Sequence, residues 1–273
     1  MVVFPNAKIN LGLNVAERRN DGYHNILSVF YPIGLTDVLE FVKNVDSDTD
    51  RITYSGLPIP GNPAENLILE SLKLIREVQF VPALKIHLHK IIPMGAGLGG
   101  GSSDGTFFLK ALNEEFQVGL TEEKLEELAL KLGSDCPFFV RNIPLSVSGR
   151  GELFEEIGVN LEGKYIALVF SDLHISTGAA YREMELKTPA IPPAEVVNRM
   201  NITEWSKYLA NDFENHAFLE HPQLRQTKSQ LYEMGALYAS MTGSGSTIYG
   251  IFDSIPNKKK LSGIAANRWV GRL

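Results

Sequence analysis

Residues 93–105 read PMGAGLGGGSSDG. Six glycines and two serines fall within thirteen residues there, far from either end of the chain. Just before them ALKIHLHKI alternates, with Leu84, Ile86 and Leu88 set against Lys85, His87 and His89, which predicts a strand. Just after them SSDGTFFLKALNEEF reads as a helix. A strand, a glycine run and a helix start together present backbone N–H groups to an anion. Glycine permits positive φ and close approach, and the helix N-terminus adds roughly half a positive charge. A purely structural turn uses about one or two glycines, so the stretch reads as a phosphate-binding loop.

Which phosphate loop it is depends on what lies around it. A Walker A loop ends in Gly-Lys-Ser/Thr, and no lysine occurs between Pro93 and Gly105. Gly95, Gly97 and Gly100 match the dinucleotide fingerprint GxGxxG literally. That fold, however, wants an acidic residue about twenty positions on, at the end of a second strand. Here that region is Thr121-Glu122-Glu123, the start of a helix.

Outward from the loop, the earlier chain is mainly β. AKINLGLNV alternates Ile9, Leu11, Leu13 and Val15 with Lys8, Asn10, Gly12 and Asn14, the pattern of a half-buried strand with one polar face. RRNDGYH supplies a turn, ILSVFYPIGL returns, and DVLEFVKN and RITYSG add strands. NLILESLKLIREV is helical by spacing: Ile68, Leu72 and Ile75 make one stripe, widened by Leu67 and Val78. TEEKLEELALKLG is a second helix, capped by Thr121 and ended by Gly133, and SDCPFFV opens another. Composition shifts around GRGELFEEIG. KYIALVF then begins a second set of strands, TPAIPPAEVV is a proline-rich connection, and helical sequence runs on to about Gly235. MTGSGSTIYGIF gives strand, turn and strand. Two domains are expected, residues 1–152 and 153–273, each mixing α and β.

The whole-chain numbers narrow the function. At 273 residues, 44% hydrophobic and 21% charged, the composition is that of a soluble globular protein. A formal charge of −6 argues against nucleic acid as a partner. The first ten residues, MVVFPNAKIN, carry no signal-peptide pattern, and apolar runs such as YIALVF are too short to span a bilayer. One cysteine, Cys136, allows no internal disulfide. A cytoplasmic protein with no membrane partner, monomeric or weakly dimeric, is expected.

PMGAGLGGGSS resembles the phosphate loop of the GHMP kinases, the family of galactokinase, homoserine kinase and mevalonate kinase. AKINLGL is similar to that family's first motif and MTGSGSTIYGIF to its third, so the resemblance spans nearly the whole chain. DGYH, AENLI, LGSDCPFFV and GRGE narrow it to a branch that phosphorylates a cytidine-diphosphate-linked sugar alcohol. The resemblance implies a two-domain α+β fold with the active site in the interdomain cleft, ATP as phosphate donor and Mg2+ as its counter-ion. The alternatives are another small-molecule kinase of the family, acting on homoserine or mevalonate, and, further off, a dinucleotide-dependent oxidoreductase or a non-catalytic nucleotide-binding module.

Residue by residue, the resemblance makes Lys8 and Asp135 the catalytic pair. Read alone, Lys8 is a solvated lysine on an exposed strand face, and Asp135 is a helix cap ahead of Pro137. The ATP site implied is Asn66 with Pro93, Met94, Gly95, Ala96, Gly97, Leu98, Gly99, Gly100, Gly101, Ser102 and Ser103, and Ser103 is the candidate metal ligand. Asn10, Tyr23, His24, Thr177, Tyr181 and Gly243 are implied as substrate contacts, with Tyr23 and Tyr181 sandwiching the cytosine and His24 reading its edge. Gly105 stands where relatives carry alanine, which reads as a stability cost of about 1 kcal/mol in a helix. His87 and His89 share one strand face but lack a third ligand, Cys136 reads as a small buried thiol, and Lys258 to Lys260 as a solvated loop.

Overall fold

The computed structural model describes residues 1–62, 66–171, 173, 175, 177–182, 184, 186 and 188–273, the side chains of Thr177, Ala179 and Arg182 excepted. The chain forms two compact units. One is Met1–Ala7, Leu35–Met94 and Gly99–Ile143; the other is Lys8–Gly34, Gly95–Leu98 and Pro144–Leu273. Neither is a single stretch of chain, so no one cut in the sequence separates them.

In the first unit, strands β1 (Val2–Val3), β4 (Val38–Lys43), β6 (Leu84–Lys90) and β5 (Arg51–Gly56) lie in that order across one sheet. β5 and β6 are parallel, and the other neighbours are antiparallel. Helices α1 (Leu67–Arg76), α2 (Gly100–Glu115), α3 (Glu122–Leu132) and α4 (Phe138–Arg141) complete the unit. Leu39 and Phe41 of β4 and Ile86 and Leu88 of β6 share a core with Ile68, Leu72 and Ile75 of α1, Phe108 and Leu112 of α2, and Leu128 of α3. The expected stripe of α1 is thus the buried one, except that Val78 lies past the helix end and is 48% exposed. Thr121 Oγ1 accepts from Lys124 N at 3.4 Å and Gly133 ends α3, as the capping pattern predicts.

Two local readings change. Helix α2 starts at Gly100, two residues before its expected first turn, because Gly99 at φ +70° turns the chain directly into it. Gly105 answers to packing: a Cβ there would lie 2.8 Å from Leu67 Cβ, and Ser71 Oγ donates to Gly105 O at 2.8 Å. The glycine lets α1 and α2 approach closely, so alanine would need a backbone shift before its better helix propensity counted.

The second unit holds two four-stranded sheets. One runs β2 (Asn6–Arg18), β3 (His24–Thr36), β7 (Leu145–Ser148), β8 (Leu153–Glu156). The other, antiparallel throughout, runs β10 (Tyr238–Met241), β11 (Ile248–Phe252), β9 (Tyr165–Val169), β12 (Arg268–Arg272). Helices α5 (Thr177–Arg182), α6 (Pro193–Arg199), α7 (Phe213–Glu220), α8 (Pro222–Glu233) and α9 (Lys258–Ile264) accompany them, with a 3-10 turn at Ile202–Lys207. Lys258 to Lys260 open α9 instead of lying in a loop, because Asn257 Oδ1 accepts from the backbone N of Lys259 and Lys260 at 3.0 and 3.1 Å. No helix among the described residues is long and apolar enough to cross a membrane.

The expectation that fails most informatively is the half-exposed strand. β2 is buried on both faces from Asn6 to Val15. Lys8, Asn10 and Asn14 are inside the protein and must find partners there, since an unpaired buried polar group costs roughly 1–3 kcal/mol.

Candidate active site

Those partners form a cluster around Lys8 within the second unit. Lys8 is 3% exposed. Its Nζ donates to Asn10 Oδ1 at 2.8 Å and stands 4.3 Å from the centre of the Phe30 ring. Its backbone N donates to Leu98 O at 3.0 Å, which ties β2 to the glycine stretch. Asn10 Oδ1 also accepts from Gly243 N at 3.0 Å, and Asn10 Nδ2 donates to Ser28 Oγ at 2.9 Å. Next to Gly243, Thr242 Oγ1 accepts from Asn10 N at 3.1 Å and donates to Gly97 O at 3.0 Å. Asn211 Nδ2 donates to Met241 O and Gly243 O at 2.8 and 2.9 Å, and Tyr249 Oη to Asn10 O at 2.7 Å. Asn10, expected as a substrate contact, is therefore occupied inside the protein: it aims Lys8 and pins the turn after β10.

Gly97 is held so tightly that no side chain fits. It sits at φ +77°, and a Cβ would lie 2.0 Å from Thr242 O. Gly97→Ala combines a left-handed backbone with that overlap, and is expected to lower the unfolding free energy by about 2–4 kcal/mol. Urea titration reads this directly, and an unchanged midpoint would show that the turn has room to spare.

The aromatic residues around the DGYH turn are placed as follows. Tyr23 is 55% exposed, with the Arg150 guanidinium 4.8 Å above its ring. His24 stacks on Tyr181, ring centres 4.9 Å apart and 17° from parallel, and Tyr181 meets Phe213 edge-on at 4.9 Å. One face of Tyr181, expected to sandwich a base against Tyr23, is thus covered by His24. Partial burial, with Arg18 nearby, holds the His24 imidazole below its ordinary range, so it is neutral at pH 7. The side chain of Thr177, at the start of α5, lies outside the described residues.

The other unit carries Pro93 and Met94 and the segment from Gly99 onward. The first N–H groups of α2 have no partner within the helix and face away from its axis end, the usual setting for an anion. Beside them lies a cavity of about 430 Å³, lined by Tyr54, Ile59, Asn66, Leu67, Met94 and Asp104 among others. Asn66 Oδ1 caps α1 by accepting from Ile68 N at 2.9 Å, and its Nδ2 donates to Tyr54 Oη at 3.2 Å. Ser103 Oγ is buried with no hydrogen-bond partner among the described residues. Asp135 lies in the turn between α3 and α4, whose N-cap position is taken by Pro137, so it does not cap that helix. Burial pushes the neighbouring Cys136 thiol up to about 11, which leaves it protonated and inert as a nucleophile.

One cluster escaped the sequence reading. Lys90 continues the buried register of Leu84, Ile86 and Leu88 on β6, and lies wholly inside. Its Nζ donates to Asp37 Oδ2 at 2.5 Å and to Asp104 Oδ2 at 2.6 Å. Asp37 Oδ1 accepts from the backbone N of Ile91 and Ile92 at 2.5 and 2.9 Å, which fixes the strand end leading into Pro93. At Gly100 a Cβ would come within 3.0 Å of Lys90 Nζ, so the bare first residue of α2 makes room for the ammonium. Burial pushes the Asp104 carboxyl up to about 8, against the pull of Lys90. The signal was a lysine at an apolar strand position, which requires a buried counter-charge. His87 and His89 instead bind hydroxyls, Thr53 Oγ1 and Ser55 Oγ within 2.9 Å, and no metal-ligating group of His, Cys, Asp and Glu is found among the described residues.

Residues 66–142 match the family model of the GHMP kinases N terminal domain, and residues 194–267 that of the GHMP kinases C terminal. The chain is 44% identical over 254 residues to the 4-diphosphocytidyl-2-C-methyl-D-erythritol kinase of Bacteroides thetaiotaomicron, covering 93% of this chain and 92% of the relative. It is 43% identical to the kinase of that name from Parabacteroides distasonis, with all of both chains covered. A crystal structure of 4-(cytidine 5'-diphospho)-2C-methyl-D-erythritol kinase superposes with a TM-score of 0.83 at 28% identity, covering 99% of this chain and 98% of that one. Homoserine kinase from Cytophaga hutchinsonii, at a TM-score of 0.71 and 15% identity with 99% and 93% covered, shares the fold. With both family domains matched and relatives this similar over their whole length, the chain belongs to the GHMP kinases, in the branch of the 4-diphosphocytidyl-2-C-methyl-D-erythritol kinases.

Proposed function

We propose that the chain transfers the γ-phosphoryl group of ATP to the 2-hydroxyl of 4-diphosphocytidyl-2-C-methyl-D-erythritol, in the non-mevalonate route to isoprenoid precursors. The side chain of Asn10 carries this reading. It holds Lys8 Nζ at 2.8 Å and Gly243 N at 3.0 Å, while adjacent Thr242 holds Gly97, so one buried pair orders segments of all three family motifs. The kinship to kinases named for that alcohol supports the choice of acceptor.

In this reading the triphosphate lies along residues 93–103, on the free amides of the glycine turn and the start of α2. Its base enters the 430 Å³ cavity beside Asn66. Ser103, whose buried Oγ has no hydrogen-bond partner among the described residues, would be the residue that holds Mg2+, and the ion would supply charge neutralisation to the triphosphate. Asp135 orients the attacking hydroxyl and accepts its proton. The hydroxyl oxygen bonds to the γ-phosphorus as the bond to the β–γ bridging oxygen breaks, and ADP leaves. Lys8 stabilises the negative charge spread over the transferred group. The cytosine stacks on the exposed face of Tyr23, a contact worth about 1–3 kcal/mol, and neutral His24 reads its polar edge with Tyr181 behind it. Gly243 and Thr177 are the residues assigned to the diphosphate in this reading. Both reactants are water-soluble, in keeping with a cytoplasmic enzyme acting as a monomer or weak homodimer.

An ADP-release assay with four alcohols tests the proposal: the cytidine-diphosphate-linked methylerythritol, the same sugar alcohol as its monophosphate, homoserine and mevalonate. Turnover is expected with the first alone. ADP release with homoserine or mevalonate, and none with the first, would move the chain to another branch of the family.

A further inference from the structure

Asp104 holds an oxygen that the protein does not use. The residue is 3% exposed, its Oδ2 is anchored on Lys90, and its Oδ1 is buried with no hydrogen-bond partner among the described residues. An atom left unpaired in the interior has lost its hydration without replacement, so native chains keep few of them without a use. Asp104 also borders the 430 Å³ cavity, whose walls of Tyr54, Ile59, Leu67 and Met94 suit a flat ring. Lys90 fixes the carboxyl through its other oxygen, Oδ2, so Oδ1 is the oxygen of this lining residue left for an occupant of the cavity.

We propose that Asp104 Oδ1 accepts a hydrogen bond from the exocyclic amino group of the adenine base and sets the enzyme's preference for that base. This rests on the cavity being the nucleoside site. Adenine carries one exocyclic donor, and a carboxyl oxygen is the acceptor that complements it. When Asp104 holds a proton, Oδ2, the oxygen beside Lys90, carries it. Oδ1 is then the carbonyl oxygen and accepts in either state. A base with a keto group at the same ring position would set oxygen against oxygen, which neither can relieve by donating.

The test compares dissociation constants of the full chain for ATP, purine riboside triphosphate, which lacks the amino group, and inosine triphosphate, which carries the keto group. Loss of the amino group is expected to weaken binding about 2- to 10-fold, the usual net worth of one hydrogen bond, and the keto group to weaken it further. In Asp104→Ala the ratio between ATP and purine riboside triphosphate should fall close to one. Because the ratio is taken within one variant, a general loss of stability cancels. Should that variant not fold, Asp104→Asn keeps the shape, and its amide can turn an N–H toward the keto group, so the inosine penalty should shrink. Equal binding of ATP and purine riboside triphosphate by the unaltered chain, or an unchanged ratio in a folded variant, overturns the role of Asp104 alone. Failure of all three nucleotides to bind overturns the cavity assignment with it.

Discussion

Asp135→Asn is expected to lower kcat by about 100- to 10,000-fold, the range for removing a general base, while the KM values for ATP and the alcohol move little. The amide keeps the size of the carboxylate and can still orient the hydroxyl through a hydrogen bond. It cannot take the proton. The variant should fold, because Asp135 does not cap α4, where Pro137 fills the N-cap position, and because the adjacent Cys136 anchors the turn in the core. Steady-state kinetics with both substrates varied, alongside a melting curve, separates the two effects. A kcat within twofold of the parent at equal stability would remove Asp135 from the chemistry.

Lys8→Met is expected to reduce kcat by about 100- to 1,000-fold, the loss seen when one preorganised charge-stabilising group is removed. Methionine fills the same buried volume against Phe30 without a charge. Asn10 Oδ1 keeps its bond from Gly243 N, so the turn after β10 should hold its place. The expected signature is a fall in kcat with nearly unchanged ATP affinity, measured by single-turnover kinetics and nucleotide titration. If ATP affinity fell as far as kcat, Lys8 would be a ground-state binding residue.

Much of this was legible in the sequence where local chemistry decides the outcome. The Thr121 cap and Gly133 stop fixed α3, and the stripe of Ile68, Leu72 and Ile75 fixed the buried face of α1. The glycine run announced a backbone approached by something large, and Gly97 against Thr242 is one such approach. What was not legible depends on partners distant along the chain. Alternation marked one face of β2 as polar, but only the arrival of Thr242 and Gly243 makes that face interior. Gly105 looked like a weak helical residue until Leu67 was placed beside it. Lys90, Asp37 and Asp104 are unremarkable one by one, and become a cluster only when β6, the link from β3 to β4 and the second turn of α2 meet. His24 and Tyr181 were both expected at the substrate, yet nothing in their spacing indicates that they stack on each other.

The bond from Gly243 to Asn10 spans 233 positions, from near the start of the chain to its last strands. On the ribosome, Lys8 therefore emerges early and has no oriented ammonium until β10 and β11 have been made. A nascent or C-terminally clipped chain can carry every charged group of the reaction and still catalyse nothing, so proteolytic loss of the last strands should silence the enzyme.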